Sequence, residues 1–344
     1  MHITISEIAK LANVSKSAVS IVLNSKPGIS EKTRSKILDI IKQYNYRPSH
    51  IAKSLAAKET KSIGLIIKEI DNPYFAKVMK GVYDACAQLG YSVLLGSSEL
   101  SGKKESEIIH ALLGMKVDGL LISPLQRGDS DFSYLADLQR RNYPLVVLGE
   151  IQNYSTNSVD IDNFAAAYDA VSYLIGLGHT RIAHLTASMH SDHGKKRLEG
   201  YKQALHDNNI AINKNFIIPV EPYTASGYTV GNTVFSKLPA LPSAVYCYND
   251  LVAIGLIDAL LEKNIQVPET VSVIGFDNIE FSAYNKIPLT TIQMPAYEIG
   301  EAAATLLIKQ LASPSVQLNE KIVLGHKLIV RNSCVRYKKR KQTR

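Results

Sequence analysis

From Ile5 to Tyr44 the apolar residues recur at helical spacing. Ile5, Ile8, Ala9, Leu11 and Ala12 form one stripe, Ala18, Val19, Val22 and Leu23 a second, and Ile37, Ile40, Ile41 and Tyr44 a third. Start and stop signals frame each stripe. Thr4 followed by Glu7 reads as a capping box, and Asn13 tolerates the left-handed conformation of a tight turn. Ser15 and Ser30 stand where the second and third helices begin, and Asn24 to Gly28 reads as a loop. Three short helices, the first two joined by a very short turn, predict a helix-turn-helix unit.

Beyond a polar link at 58–61 the pattern changes. Apolar runs at Ser62–Lys68, Tyr91–Gly96, Gly119–Ser123 and Leu145–Leu148 alternate with helix-spaced stretches at about 73–89, 102–116 and 130–142. Val159–Asp162 precedes a helix over 163–177, ended at Gly178. The alternation then restarts with runs at Arg181–Thr186, Phe216–Val220, Ala244–Tyr248 and Val271–Phe276, and helices over about 194–208, 226–237 and 249–263. A helix over about 295–312 and a strand over about 322–330 close the pattern. Two successive βα arrays predict an α/β fold: two doubly wound parallel-sheet subdomains behind a small all-α helix-turn-helix domain.

Charge separates these parts. Residues 1–60 carry ten Lys/Arg and four Asp/Glu, and residues 335–344 carry six Lys/Arg and no acid. The chain is +8, so the middle is net negative. A basic small domain on a mildly acidic body predicts an anionic polymer as partner at that end. The second helix would enter the major groove by its N-terminal end, presenting Lys16, Ser17, Ser20 and Ile21, with Ser15 beside a phosphate.

Enzyme motifs fail one by one. Gly96 to Lys104 mimics a phosphate loop but has the wrong spacing, and Lys104 stands where a hydroxyl must hold magnesium. Gly176-Leu177-Gly178 follows a helix, not a strand. His190 and His193 have no third ligand nearby, and Cys86, Cys247 and Cys334 have no metal spacing and form no disulfide framework. No cofactor and no metal are expected. No apolar run approaches the ~18 residues of a membrane span, and no signal pattern opens the chain. A cytoplasmic, nucleoid-associated protein is expected.

Residues 4–56 resemble the headpiece of the LacI/GalR family of bacterial transcription regulators. The resemblance rests on Thr4-Ile5-Ser6-Glu7-Ile8-Ala9, Val14-Ser15 through Ser20, Val22-Leu23-Asn24, and Tyr46-Arg47-Pro48-Ser49 through Ala56. It implies DNA contacts from Thr4, Ser15, Lys16, Ser17, Ser20, Ile21 and Asn24. It also implies a hinge helix over about 49–56, with His50 and Lys53, whose Leu55 wedges into the minor groove. An eight-residue helix is shorter than the ~12–15 residues that hold alone in water, so its surroundings can switch it. Many members carry arginine where this chain has Ile21, so a different operator is expected, with Lys16 and Ser17 carrying more of the readout.

The body is similar to the family's effector domain, itself related in fold to periplasmic sugar-binding proteins. The carrying segments include Asp71-Asn72-Pro73-Tyr74-Phe75, Gly176 through Ile182, Arg197 through Tyr201, Val273 through Asp277 and Pro288 through Ile292. The similarity implies a headpiece over 1–48 and a hinge and linker over 49–60. It implies an N-terminal subdomain of 61–161 plus 293–320, a C-terminal one of 162–292 plus 321–334, and a basic tail over 335–344. The chain would cross between subdomains near 161, 292 and 321.

Ligands of such sheets bind beyond the carboxyl ends of the strands. Asp162, Asn249, Asp250 and Asp277 follow strands and could bond sugar hydroxyls, although Asn249 and Asp250 could equally cap a helix. Tyr74 and Phe75 could stack on a ring or belong to the core. The resemblance adds Arg197 and, on a looser alignment, Tyr223. Lys195 and Lys196 read as a solvated face and His179 as a turn residue. The expected protein is a homodimeric, effector-controlled transcription regulator and repressor on near-palindromic operator DNA, with a sugar or sugar derivative as its expected effector. Family members answer to sugars, sugar phosphates, nucleosides or purines. The alternatives are a sugar-binding protein for uptake and an α/β sugar-processing enzyme.

Overall fold

The computed structural model describes residues 3–46, 59–126, 132–151, 154–187, 191–238, 240–313 and 319–338. The hinge residues His50, Lys53 and Leu55 lie outside them. The chain divides into two compact units between Lys61 and Ser62.

The first unit holds α1 (Ile5–Ala12), α2 (Lys16–Leu23) and α3 (Glu31–Gln43). Its ends form as the side chains dictate. Thr4 and Glu7 complete a capping box, Asn13 stops α1 at φ 53°, and Ser15 Oγ and Ser30 Oγ accept from the Ala18 and Thr33 amides. Ile8, Ala9, Ala12, Val19, Val22 and Ile37 are buried together. Leu11 and Tyr44, expected on the buried stripes, are 49% and 47% exposed. A bundle this small encloses only the middle of each stripe and leaves its edges wet.

The second unit holds two six-stranded sheets. The first has the order β11-β5-β4-β3-β1-β2, built from β1 (Ser62–Ile67), β2 (Ser92–Ser97), β3 (Gly119–Ile122), β4 (Leu145–Leu148), β5 (Asn157–Ile161) and β11 (Lys321–Leu324). All its pairings are parallel. Its helices are α4 (Pro73–Gln88), α5 (Gly102–Gly114) and α6 (Ser133–Arg140).

After β5 the chain enters the second sheet through α7 (Asn163–Gly176). That sheet has the order β12-β10-β9-β8-β6-β7, from β6 (Ile182–Thr186), β7 (Ile217–Pro219), β8 (Ala244–Cys247), β9 (Ser272–Asp277), β10 (Thr290–Gln293) and β12 (Lys327–Ile329). Only β12 runs antiparallel, against β10. Its helices are α8 (Asp192–Asp207), α9 (Thr224–Thr229), α10 (Asp250–Glu262) and the single turn α11 (Phe281–Tyr284); α12 (Ala296–Ala312) returns to the first sheet and packs on α4.

Two expectations are corrected here. The strand expected over 322–330 is two strands in different sheets. β11 pairs with β5 while β12 pairs with β10, so the third passage between subdomains falls at Gly325 and His326, not near 321. Residues 321–324 therefore belong with the first sheet. The helix expected over 226–237 is α9, then a π-helical stretch Val230–Val234, then a 3₁₀ turn Phe235–Lys237. The start of the basic tail is docked: the Tyr337 amide donates to Leu177 O, and His179 Nε2 lies 3.0 Å from Val335 O.

Each subdomain brings two helices to backbone contact through paired glycines. A Cβ on Gly81 of α4 would stand 2.0 Å from Tyr297 O, and one on Gly300 of α12 would stand 2.1 Å from Val78 O. Gly227 and Gly255 do the same for α9 and α10, at 1.9 Å from Val252 O and Thr224 O. Carbonyl oxygens cannot yield as a flexible side chain can. Gly81→Ala should therefore destabilise the protein by roughly 1–3 kcal/mol in denaturant melts, although alanine favours helix by ~1 kcal/mol. Gly114→Ala, with open space around it, should be neutral or mildly stabilising in the same melts.

Beneath the second sheet's core, the ring of His184 stacks 4.5 Å from Tyr246 and 5.3 Å from Tyr201. Its Nδ1 donates to Tyr246 O, and Nε2 has no partner among the described residues, so the ring sits in its neutral form. Burial lowers its pKa to about 4. Below the ordinary imidazole pKa near ~6.5 the unfolded chain takes a proton that the folded chain refuses. Stability should therefore fall between pH 6.5 and about 4, and His184→Phe should flatten that part of a Tm-against-pH curve.

Candidate functional site

Two surfaces carry the chemistry. In the headpiece, Ile5, Lys16, Ser17, Ser20, Ile21, Asn24 and Lys26 line one shallow groove. Lys16, Ser17, Ser20 and Asn24 are exposed and Ile21 half-buried. Asn24 Nδ2 donates to Ser20 O at 2.9 Å, and Arg34 ties Lys26 down through a 2.7 Å bond to its carbonyl. Thr4 spends its hydroxyl on Glu7 and lies at the N-terminus of α1 rather than in the groove. Lys16 and Ser17 are the first two residues of α2, where the helix dipole and free amides favour an approaching phosphate.

In the second unit the carboxyl ends of both sheets converge on one cavity of about 120 Å³. The first sheet contributes Lys68 and Glu69 after β1, Ser123 after β3, and Asp160 of β5; α4 adds Tyr74 and Phe75. The second contributes His193 and Arg197 of α8, Tyr248 and Asn249 after β8, and Asp277 at the end of β9.

Arg197 is 3% exposed. Its Nε donates to Asn163 Oδ1 at 3.0 Å, Nη1 donates to Tyr248 O at 2.6 Å, and the guanidinium lies 3.5 Å from the Phe276 ring centroid and 4.7 Å from that of Tyr248. Asp277 adopts φ 110°, a conformation that side chains rarely take and that a functional position can retain. Burial pushes its carboxyl well above the usual range despite Arg197 nearby. Burial also works to raise Asp160, but His193, the Ile161 amide and Arg197 outweigh it and hold its pKa below the usual value.

The first turns of α8 bond across to the first subdomain. His193 Nε2 lies 3.0 Å from Asp160 Oδ2, Lys196 Nζ lies 2.7 Å from Glu150 Oε2, and the Asp192 amide donates to Gln126 Oε1 at 2.6 Å. Lys321 joins Glu150 from the other side at 3.2 Å. Lys196, expected on a solvated face, is thus a bridging residue.

Of the expected cleft residues, Tyr74, Phe75, Arg197, Asn249 and Asp277 line the cavity. Three do not. Asp162 is exposed and caps α7, accepting from the Ala165 amide at 2.9 Å; it lies past the strand end, and Asp160, two residues earlier, faces the cavity instead. Asp250 is buried behind the cavity and accepts from Thr291 Oγ1, Ser282 Oγ and the Ile279 amide, which fixes β10 and α11; burial raises its pKa to about 6. Tyr223 is 40% exposed and hydrogen-bonds Glu69, while its neighbours Glu221 and Pro222 line the wall. Asn249 divides its side chain between the Val252 amide and Pro222 O. His179 is buried between Ser243 and the docked tail, a structural position. Lys68, Glu69, Asp160, His193 and Tyr248 were missed. Lys68 and Tyr248 close apolar runs and Glu69 follows one, and that placement at strand ends was the available signal.

Among the described residues no group of three His, Cys, Asp or Glu could hold a metal ion, and no helix is long and apolar enough to cross a membrane.

Comparison with known proteins agrees with this geometry. Residues 171–334 match the periplasmic binding protein-like domain, and residues 4–49 match the lacI family of bacterial regulatory proteins. The chain is 34% identical over 332 residues to the HTH-type transcriptional repressor PurR of Histophilus somni, covering 96% of this chain and 98% of that one. The lac repressor dimer bound to operator and the anti-inducer ONPF superposes with a TM-score of 0.86 at 26% identity, covering 97% of this chain and 100% of that one. The transcriptional regulator CelR in complex with cellobiose superposes with a TM-score of 0.73 at 26% identity, over 96% and 100%. These relatives are regulators, not enzymes, and the likeness includes the headpiece, which sets aside the uptake-protein and enzyme alternatives. The chain is a DNA-binding transcriptional regulator with a ligand-binding effector domain, and it belongs to the lacI family of bacterial regulatory proteins.

Proposed function

We propose that this regulator is a homodimeric repressor whose operator affinity is set by a sugar-class molecule held between the two effector subdomains. The observation that carries this reading is the cavity itself, walled by both sheets, with carboxylate, guanidinium and aromatic groups brought together. Asp277 supplies acceptors and Arg197 donors for adjacent hydroxyls, and Tyr74, Phe75 and Tyr248 supply flat faces for the apolar side of a sugar ring. A volume of about 120 Å³ is below the ~300–1,000 Å³ of sites for drug-sized ligands, which favours one ring over a longer saccharide. The CelR structure contains cellobiose, a precedent for a sugar on this fold.

A twofold protein matches twofold DNA, so two headpieces take the halves of a near-palindromic operator. Lys16 and Ser17 read base edges, and Ile21 favours a thymine methyl over the contact an arginine would make. The 49–56 hinge, with His50, Lys53 and the Leu55 wedge, couples the headpieces to the subdomain arrangement. Ligand control requires different ligand affinity in the two arrangements. The site of action is the cytoplasmic nucleoid.

The test uses an operator duplex selected by the protein from a random-sequence library. Fluorescence anisotropy then follows its binding with and without a panel of monosaccharides, nucleosides and nucleobases. A sugar should shift operator affinity, and Asp277→Asn should weaken that response ~10-fold or more while leaving ligand-free DNA binding within ~3-fold. A response to nucleobases alone would overturn the sugar assignment. At fixed salt, Leu55→Ala should weaken operator binding ~10-fold or more with the body still folded; unchanged affinity would refute the wedge. Lys16→Ala should relax base preference at one position, whereas uniform loss across sequences would make Lys16 a phosphate contact.

A further inference from the structure

We propose that the effector is an acidic monosaccharide, a uronate or aldonate, and that Lys68 selects it by pairing with the ligand carboxylate. This inference rests on the sugar reading above and narrows it. Lys68 follows the last residue of β1 and lines the cavity. Its ammonium makes no hydrogen bond or ion pair with any described residue; the fields of Glu105, Asp160 and Glu69 favour its charge and that of Arg197 opposes it. The other basic side chains nearby already hold protein acceptors, and Arg197 keeps only its remaining N–H donors for hydroxyls. Arg197 is held by Asn163 and Tyr248, His193 by Asp160, and Lys196 by Glu150 and Asp192. Glu105, the carboxylate whose field acts most on Lys68, is itself taken by the Leu125 amide and the Tyr134 hydroxyl.

An ammonium taken from water without an acceptor is costly, and burial accordingly lowers the pKa of Lys68. The missing acceptor is one a ligand can bring. On the opposite wall Asp277 has no hydrogen-bond donor among the described residues. The cavity is therefore polarised: a donor without acceptor on the first subdomain faces an acceptor without donor on the second. A molecule with a carboxylate at one end and hydroxyls at the other satisfies both. The neighbouring acids do not forbid it. Asp160 accepts from His193 Nε2 and lies in the field of Arg197, and burial shifts Glu69 toward its uncharged form.

The experiment titrates the full-length protein by calorimetry with matched pairs: D-glucose against D-glucuronate, D-galactose against D-galacturonate, and D-gluconate alone. An acid should bind ~10-fold or more tighter than its neutral parent, the worth of a charged hydrogen bond. Lys68→Met should remove that preference, costing the acid ~10-fold or more and the neutral sugar less than ~3-fold. Lys68→Met should also raise the ligand-free Tm, because an unpartnered charge leaves the interior; a lysine that merely supported the fold would lower it. Lys68→Arg should keep the acid preferred. Neutral sugars bound as tightly as their acids, or an acid preference that survives in Lys68→Met, would overturn the role of Lys68 and leave the sugar reading standing. Binding by neither acids nor neutral sugars would overturn the sugar reading and this inference with it.

Discussion

Arg197 carries a permanent charge into a position almost closed to water, and its surroundings are arranged around the cost of holding it there. Asn163 and the Tyr248 carbonyl take its hydrogen bonds, and Phe276 and Tyr248 cover its faces. Those three residues come from the start of α7, the turn after β8 and the end of β9. One guanidinium thus fixes the relative placement of three elements at the carboxyl edge of the second sheet. Its field reaches Asp160, Asp277 and Lys68, so it also sets the electrostatics of the cavity.

The two subdomains share part of one apolar cluster, and polar links are added to it around the cavity. Inside each, apolar strands and backbone contact at paired glycines make a packing that changes only by breaking. Around the cavity the polar links across the cleft include His193 with Asp160, Lys196 with Glu150, Asp192 with Gln126, Tyr223 with Glu69 and Lys77 with the Asn278 carbonyl. Partly exposed ion pairs contribute little each. A ligand can shift the arrangement of the subdomains only by as much as its affinity differs between arrangements. The His193, Lys196 and Asp192 links come from the first turns of α8, beside Arg197, so the helix that lines the cavity also bridges the cleft.

The headpiece solves a separate problem. Its core is a handful of aliphatic side chains, and its helices are capped by Thr4, Ser15 and Ser30 instead of being held by extensive packing. That leaves the outer face of α2 free of packing duties and available for DNA. The basic charge of residues 1–60 against a net acidic middle places phosphate attraction on the headpiece rather than on the middle of the chain.

The sequence by itself determined the elements and their class. Caps, glycine stops and the switch from helical to strand periodicity placed the headpiece helices and both parallel sheets, because these signals act within a few residues of one another. It also brought out Tyr74, Phe75, Arg197, Asn249 and Asp277. Tertiary structure alone decided the rest. Asp160 and Asp162 are both acids at one strand end, and only the direction of the strand into the cavity separates a cleft residue from a helix cap. Asp250 beside Asn249 became a buried brace because Ser282 and Thr291 arrive from far along the chain. The split of 321–330 between two sheets depended on which edge strand each half met, β5 or β10. Lys68, Glu69, His193 and Lys196 gained their meaning from partners, or the lack of them, across a cleft. Such partners are set by through-space distance, which no local spacing encodes.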